Sequence, residues 1–284
     1  MSDIAIVTDR GADLTPDQQR EHGVTVVPLI VRFGEEVILD DGSLSADDFW
    51  RRVERDASPP ETSQPSAGMF EKTFAPLVAA GRHVLCPLIT GKMSGTCNAA
   101  HAAAQRFPGQ ITVFDTRSLS LGQAFQVLAA ATAARQGVSL DAIIQMLEGM
   151  RARSHLLIAL DTVEYLKRGG RAGKVMPLLD RVARALNIKP LLRLADGEFQ
   201  VVGAARSMAK AVRKITEEFA ALAPAEALAV VHTRRSEEAA ALADLLAPAV
   251  GLPRDATLIT EAGPALSAHA GPGTMAAAMI QRLA

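Results

Sequence analysis

A chain of 284 residues that is 49% hydrophobic has the length and apolar content for one large domain or two ordinary ones. Its net charge of −1, with no basic stripe, excludes a disordered chain and an electrostatic nucleic-acid binder, and its single Trp and single Tyr argue against base stacking. With aromatics at 4%, the core has to be built mostly from Ala, Val, Leu and Ile, and no run approaches the roughly twenty apolar residues of a bilayer span.

The opening "MSDIAIVTDRGADL" carries Asp3 and lacks a basic leader followed by an apolar core. Cys86 and Cys97 have neither metal-ligand spacing nor the pattern of a secreted framework. Together these features predict a reducing, cytoplasmic setting. "IAIVTD" reads as a buried strand that Asp9 and Gly11 break, and Thr15 with Pro16 then starts a short helix. "VTVVPLIVRF" and "EEVILDD" are strand candidates around Gly34, and Ser45 to Asp56 is an amphipathic helix with Asp47 and Asp48 in its first turn. "ASPPETSQPSAGM" reads as a polar, proline-rich loop ending at Ser66, the N-cap of a helix from Ala67 to Ala80. "HVLCPLIT" and "ITVFDT" are short buried strands, each followed by a helix, one starting near Ser94 and one near Ser118.

Repeated strand-then-helix order predicts a mostly parallel sheet covered on both faces, with ligands gathering at the carboxyl ends of its strands. Four polar turns are expected in that kind of position: Thr8-Asp9, Thr90 to Thr96, Asp115-Thr116 and the Thr62-Ser63 loop. The texture changes after a helix from Leu140 to Arg151. "HLLIALDT" is strand-like, "VEYLKRGGRAGK" is a short helix ending in paired glycines, and a hairpin turns at Asp196-Gly197. Helix, strand, helix and strand follow, and a final helix is expected after "HAGPGT". The fold class is therefore α/β in two domains, an N-terminal mostly parallel α/β/α sheet over 1–152 and a C-terminal mixed α/β domain over 153–284.

The chemistry centres on Ser94, in "PLITGKMSGTCNAAH". A nucleophile elbow needs Gly-x-Ser-x-Gly and a P-loop needs Gly, four residues, then Gly-Lys-Ser/Thr; "GKMSGT" satisfies neither spacing. What is left is a hydroxyl at a helix start, which either caps the helix or helps to hold an anion. "TSQPS" carries the same ambiguity between a local turn and a ligand contact. In "YLKRGGRAGK", Lys167, Arg168, Arg171 and Lys174 surround Gly169-Gly170, which suits either a dipole-compensated helix end or a phosphate or acidic-partner contact. His269 stands before a Gly-Pro-Gly turn, read as lying between a strand and a helix start. The remaining histidines show no zinc-like spacing, so no metal is expected, and no nucleotide-binding motif is visible, so no cofactor is expected either.

Taken in order, "IAIVTDRGADL", "TSQPS", "MSGT", Asp115-Thr116, "LDTVEYLKRGGRAGK", "KPLL" before "DG", "ARSMAKA" and "GPALSAHAGPG" resemble the DegV family of bacterial fatty-acid-binding proteins, the acyl-carrier subunits of fatty acid kinase. With no nucleotide-binding motif visible, the chain is not expected to be a complete enzyme alone, and the resemblance implies a lipid-binding subunit. It would hold one long-chain fatty acid in an apolar tunnel between two domains and present its carboxylate to a separate ATP-dependent kinase subunit. The acyl phosphate would then pass to membrane phospholipid synthesis, through a transient contact with a membrane acyltransferase. The residues matching the family's carboxylate contacts are Thr62, Ser94 and His269, and those matching its phosphoryl or kinase-facing positions are Arg171 and Arg206. Arg10 stands where many relatives carry a small hydroxyl residue. The alternative is a serine-dependent acyl hydrolase centred on Ser94, and a third reading is a phosphosugar- or nucleotide-binding module using the same helix starts.

Overall fold

The computed structural model describes residues 4–56, 59–170, 173–183 and 188–283. The chain forms two compact units, one of Met1–Ala152 with Gly263–Ala265, the other of Arg153–Ala262 with Leu266–Ala284.

The strands of the first unit are β1 (Ile4–Asp9), β2 (Val24–Val27), β3 (Leu29–Phe33), β4 (Glu36–Asp40), β5 (Glu61–Ser63), β6 (His83–Leu88) and β7 (Ile111–Asp115). Four of them form a parallel sheet in the order β2-β1-β6-β7. All six residues of β1 are buried, the continuous burial expected of a strand covered on both faces. Strand alternation divides the work. Ala5, Val7, Val84, Cys86 and Leu88 face a core with Phe70 and Phe74 of the helix Ala67–Ala79 and with Cys97, Ala100 and Ala103 of the helix Thr96–Ala104. On the opposite face Thr8 receives a hydrogen bond from Gln123 of the helix Ser120–Arg135. The expected α/β class and two-sided parallel sheet are both present.

Local chemistry sets the helix starts. Thr15 and Gln18 form a reciprocal capping box that spans Pro16, Ser45 caps Ala46–Arg55, and the Ser66 hydroxyl accepts from the Met69 N–H.

The reading of the segment ending at Ser66 as loop, whose residues 57 and 58 lie outside the described ones, needs correction. Glu61–Ser63 is a strand, β5, pairing antiparallel with β3 in a small separate sheet of order β4-β3-β5. Three residues are too few to show an alternating pattern in sequence, and the pairing to β3 alone creates the strand. Thr62-Ser63 therefore sits on that sheet and not at a carboxyl end of the parallel one. Thr8-Asp9, Thr90 and Asp115-Thr116 do occupy such ends.

The second unit adds β8 (Ser154–Ala159), β9 (Lys189–Ala195), β10 (Glu198–Ala205), β11 (Ala225–His232), β12 (Thr257–Glu261) and β13 (Met275–Gln281), ordered β10-β9-β8-β13-β11-β12. The β11/β12 pair is parallel and the other pairs are antiparallel, so the sheet is mixed. Asp196 (φ 49°) and Gly197 (φ 80°) make the two-residue turn joining β9 to β10, as the Asp-Gly pair predicts. One sheet face packs Leu157, Leu191, Val230 and Met279 against Ile215 and Phe219 of the helix Met208–Ala220 and Leu242 and Leu246 of the helix Ser236–Ala249.

The element after "HAGPGT" is a strand and not the expected helix. Met275–Gln281 runs between β8 and β11, with its first six residues buried. Ala276, Ala277 and Ala278 favour a helix on propensity, but the ladders on both sides of the strand outweigh that preference.

Candidate functional site

In the first unit, Thr62 lies opposite Val31 in the β3/β5 register. Val31 is fully buried, and Leu29 and Phe33 on the same face are buried beside it. Directly opposed residues share a face, so the half-buried Thr62 side chain is on the inward side of the small sheet.

Ser94 stands in the turn between β6 and the helix Thr96–Ala104, with its N–H donating to the Thr90 carbonyl at 3.2 Å. Its hydroxyl shares a 2.7 Å hydrogen bond with the Thr96 hydroxyl and accepts from the Thr96 N–H at 3.3 Å. The capping position belongs to Gly95, which offers no side-chain cap. Ser94 is thus one residue before the cap, half-buried, beside a helix start whose first N–H groups lack an intrahelical acceptor.

The two hydroxyl segments meet through a residue between them in neither role. A Cβ added to Gly95 would lie 2.9 Å from Gln64 Nε2 and 3.0 Å from Gln64 Cδ. The carboxamide of "TSQPS" is therefore seated on the backbone of "MSGT".

Beside these segments, three buried carboxylates hold the end of β1. Asp9 accepts from the Gly11 N–H at 2.7 Å on one oxygen, and from the Ile89 N–H at 2.8 Å and Gln123 Nε2 at 3.2 Å on the other. Asp13 accepts from the Ser120 hydroxyl at 2.6 Å and the Gly263 N–H at 2.9 Å. Asp40 accepts from the Ala265 N–H at 3.0 Å and pairs with Arg10 Nε at 3.3 Å. Burial pushes Asp9 and Asp13 from 3.8 up to about 6, and it pushes Asp40 upward against the pull of the Ala265 N–H and Arg10. Arg10 also donates to the Leu14 carbonyl at 3.0 Å, so it is engaged in holding this turn together. Sequence reading singled out Thr8-Asp9 as a polar turn but neither Asp13 nor Asp40 nor their grouping, because Ile89, Ser120, Gly263 and Ala265 lie far along the chain from the acids they bind.

In the second unit, the motifs around Gly169 and His269 interlock. A Cβ on Gly169 would fall 2.0 Å from His269 Nδ1, one on Gly271 would fall 2.7 Å from Tyr165 Cδ2, and one on Gly273 would fall 2.9 Å from Asp161 Cβ. Gly271 and Gly273 also have φ of 75° and 77°, which L side chains rarely adopt. Thr233 clamps the loop: its hydroxyl donates to the Gly271 carbonyl at 2.6 Å and accepts from the Thr274 N–H at 2.9 Å.

His269 lies near the end of the helix Pro264–Ala270, half-buried. The expected place between a strand and a helix start does not hold, and the anion-favouring field of a helix N-terminus does not act on it there. Arg206 is exposed in the bend between β10 and the helix Met208–Ala220, and Arg171 lies outside the described residues. Among the described residues, no three His, Cys, Asp or Glu side chains gather as a metal site, and no helix is long and apolar enough to cross a membrane.

A parallel α/β unit with hydroxyls at its strand and helix junctions, and a mixed α/β unit closed by a glycine-rich histidine loop, are the parts of a two-domain α/β protein. A family model described as uncharacterised protein, DegV family, matches residues 3–282, and the chain belongs to that family. A DegV domain-containing protein of Deinococcus radiodurans is 39% identical over 214 residues, 75% of each chain. A DegV family protein from Thermus thermophilus, described for its fatty acid binding, superposes with a TM-score of 0.91 at 34% identity over 99% of this chain and 100% of its own. DegV from Bacillus subtilis, described as a fatty acid binding protein, gives 0.86 at 26% identity over 99% and 100%. The family membership implied by the order of "TSQPS", "MSGT", "YLKRGGR" and "HAGPG" is thereby established.

Proposed function

We propose that this protein binds a long-chain fatty acid in the cytoplasm and presents its carboxylate to a separate ATP-dependent kinase. The observation that carries the reading is the contact between the Thr62 and Ser94 segments through Gln64 and Gly95, in a chain 34% identical to a Thermus thermophilus protein described for fatty acid binding. A carboxylate taken out of water requires hydrogen-bond donors. Two hydroxyls and the N–H groups of a helix start supply them without a full ion pair. One carboxylate oxygen then stays free to take the γ-phosphoryl group of ATP as ADP leaves the kinase. Each buried methylene contributes about 0.8 kcal/mol, so the acyl chain supplies most of the affinity and the hydroxyls orient the head group. The acyl phosphate carries more negative charge than the acid, and the cations Arg171 and Arg206 are assigned to it and to the kinase-facing surface, with His269 kept beside the carboxylate. The product passes onward through a transient contact with a membrane acyltransferase.

Native mass spectrometry and lipid extraction of the purified protein test the reading. One co-purifying fatty acid per chain is expected. A lipid-free protein whose melting temperature ignores added palmitate and oleate overturns it, and covalent labelling of Ser94 by a fluorophosphonate would favour an acyl hydrolase instead.

A further inference from the structure

Glycine at position 95 is not demanded by its backbone. Its φ of −75° and ψ of 8° are accessible to any residue. The demand comes from Gln64, whose Nε2, Cδ and Oε1 would all lie within 3.4 Å of a Cβ there. Gln64 is an exposed residue, free by its own chemistry to extend into water, yet its carboxamide faces the Gly95 backbone. Thr62 is two residues before Gln64 and Ser94 is one residue before Gly95, so this single contact couples the two hydroxyls.

We propose that Gln64 is a positioning residue, whose carboxamide, seated on Gly95, holds the Ser94 turn in register with the strand that carries Thr62. The inference rests on the fatty-acid reading above and adds to it the device that sets the spacing of the two hydroxyls. A Cβ at Gly95 meets the far end of a flexible side chain, so Gly95→Ala displaces the carboxamide and leaves the fold in place. The two substitutions therefore remove the same contact from opposite sides.

The test is displacement of a fluorescent fatty acid from the full-length protein by palmitate and by methyl palmitate. Gln64→Ala and Gly95→Ala are each expected to weaken palmitate about tenfold and methyl palmitate less than about twofold, since the ester has no carboxylate to orient. The double variant is expected to stay near tenfold for palmitate, because the second change removes a contact already lost. Equal losses for acid and ester would assign Gln64 a packing role and overturn the proposal. So would multiplicative losses in the double variant, or no loss at all. Wild-type protein that binds neither ligand overturns the fatty-acid reading itself, which tells the two failures apart.

Discussion

Asp9 and Asp13 are both buried carboxylates, and both are pushed from 3.8 up to about 6, yet the same isosteric change should affect them differently. Around Asp13 stand the Ser120 hydroxyl, the Gly263 N–H, the Arg10 cation and the Asp40 carboxylate. Its raised value means that the folded chain holds a proton the unfolded chain has released between about pH 4 and pH 6. The favourable contribution is therefore complete below about pH 4 and is lost as pH rises through about 6, beyond which the buried charge carries its full penalty. The rise from 3.8 to about 6 corresponds to about 3 kcal/mol.

Asp13→Asn removes that charge and keeps both hydrogen bonds. The amide oxygen accepts from the Gly263 N–H, and the amide nitrogen donates to the Ser120 oxygen, which can accept as well as donate. The φ of 50° at residue 13 also suits Asn better than most residues. Asp9 differs, because its partners on both oxygens are N–H donors. Whichever way an Asn side chain turns there, either the Gly11 or the Ile89 N–H faces an NH₂ group. Leaving such a buried donor unpaired costs about 1–3 kcal/mol, which offsets what removal of the charge gains. Urea unfolding followed through Trp50, the chain's single Trp and buried in the first unit, reads both variants. Asp13→Asn is expected to exceed wild type by about 1–3 kcal/mol near pH 8 and to match it near pH 4, with Asp9→Asn less stable than Asp13→Asn at both. A gap for Asp13→Asn that persists in acid, or an Asp9→Asn as stable as Asp13→Asn, would refute the reasoning.

Ser94→Ala should lower palmitate retention or its kinase-dependent phosphorylation and leave the melting temperature within a few degrees, since the hydroxyl's partner Thr96 lies in the same turn. Arg171→Ala should slow kinase-dependent turnover more than it weakens lipid binding, and equal losses of lipid affinity in the Ser94 and Arg171 variants would contradict that division. Gly169→Ala should move the His269 imidazole resonances and cost about 1–3 kcal/mol by overpacking, because the new methyl would stand 2.0 Å from Nδ1. Unchanged His269 resonances would sink that account.

The strand and helix order of the first unit was legible because its signals are local. β1 shows a continuous apolar run, and Thr15, Ser45 and Ser66 are side chains of the capping type at their helix starts. β5 and β13 were not legible, for a common reason. β5 is three residues held by β3, and β13 is an alanine-rich run held between β8 and β11. Each owes its conformation to neighbours distant in sequence, so no window along the chain contains the cause. The buried acids follow the same rule: Asp13 appears in sequence as an ordinary turn residue, while the group that fixes it, the Gly263 N–H, is 250 positions away.

The glycines show what a motif does and does not disclose. In "YLKRGGR" the paired glycines read alike as the end of a short helix, but only Gly170 has a positive φ, 64°, while Gly169 sits at −70°. Gly170 is a glycine for its backbone and Gly169 for the room it leaves His269. Gly95 repeats the second case toward Gln64. A letter G carries both meanings equally, and only the partner in space distinguishes them. This explains why "YLKRGGR" with "HAGPG", and "TSQPS" with "MSGT", are informative as pairs although each is ambiguous alone. Each pair is the two sides of one contact, so either side alone carries only half of the signal.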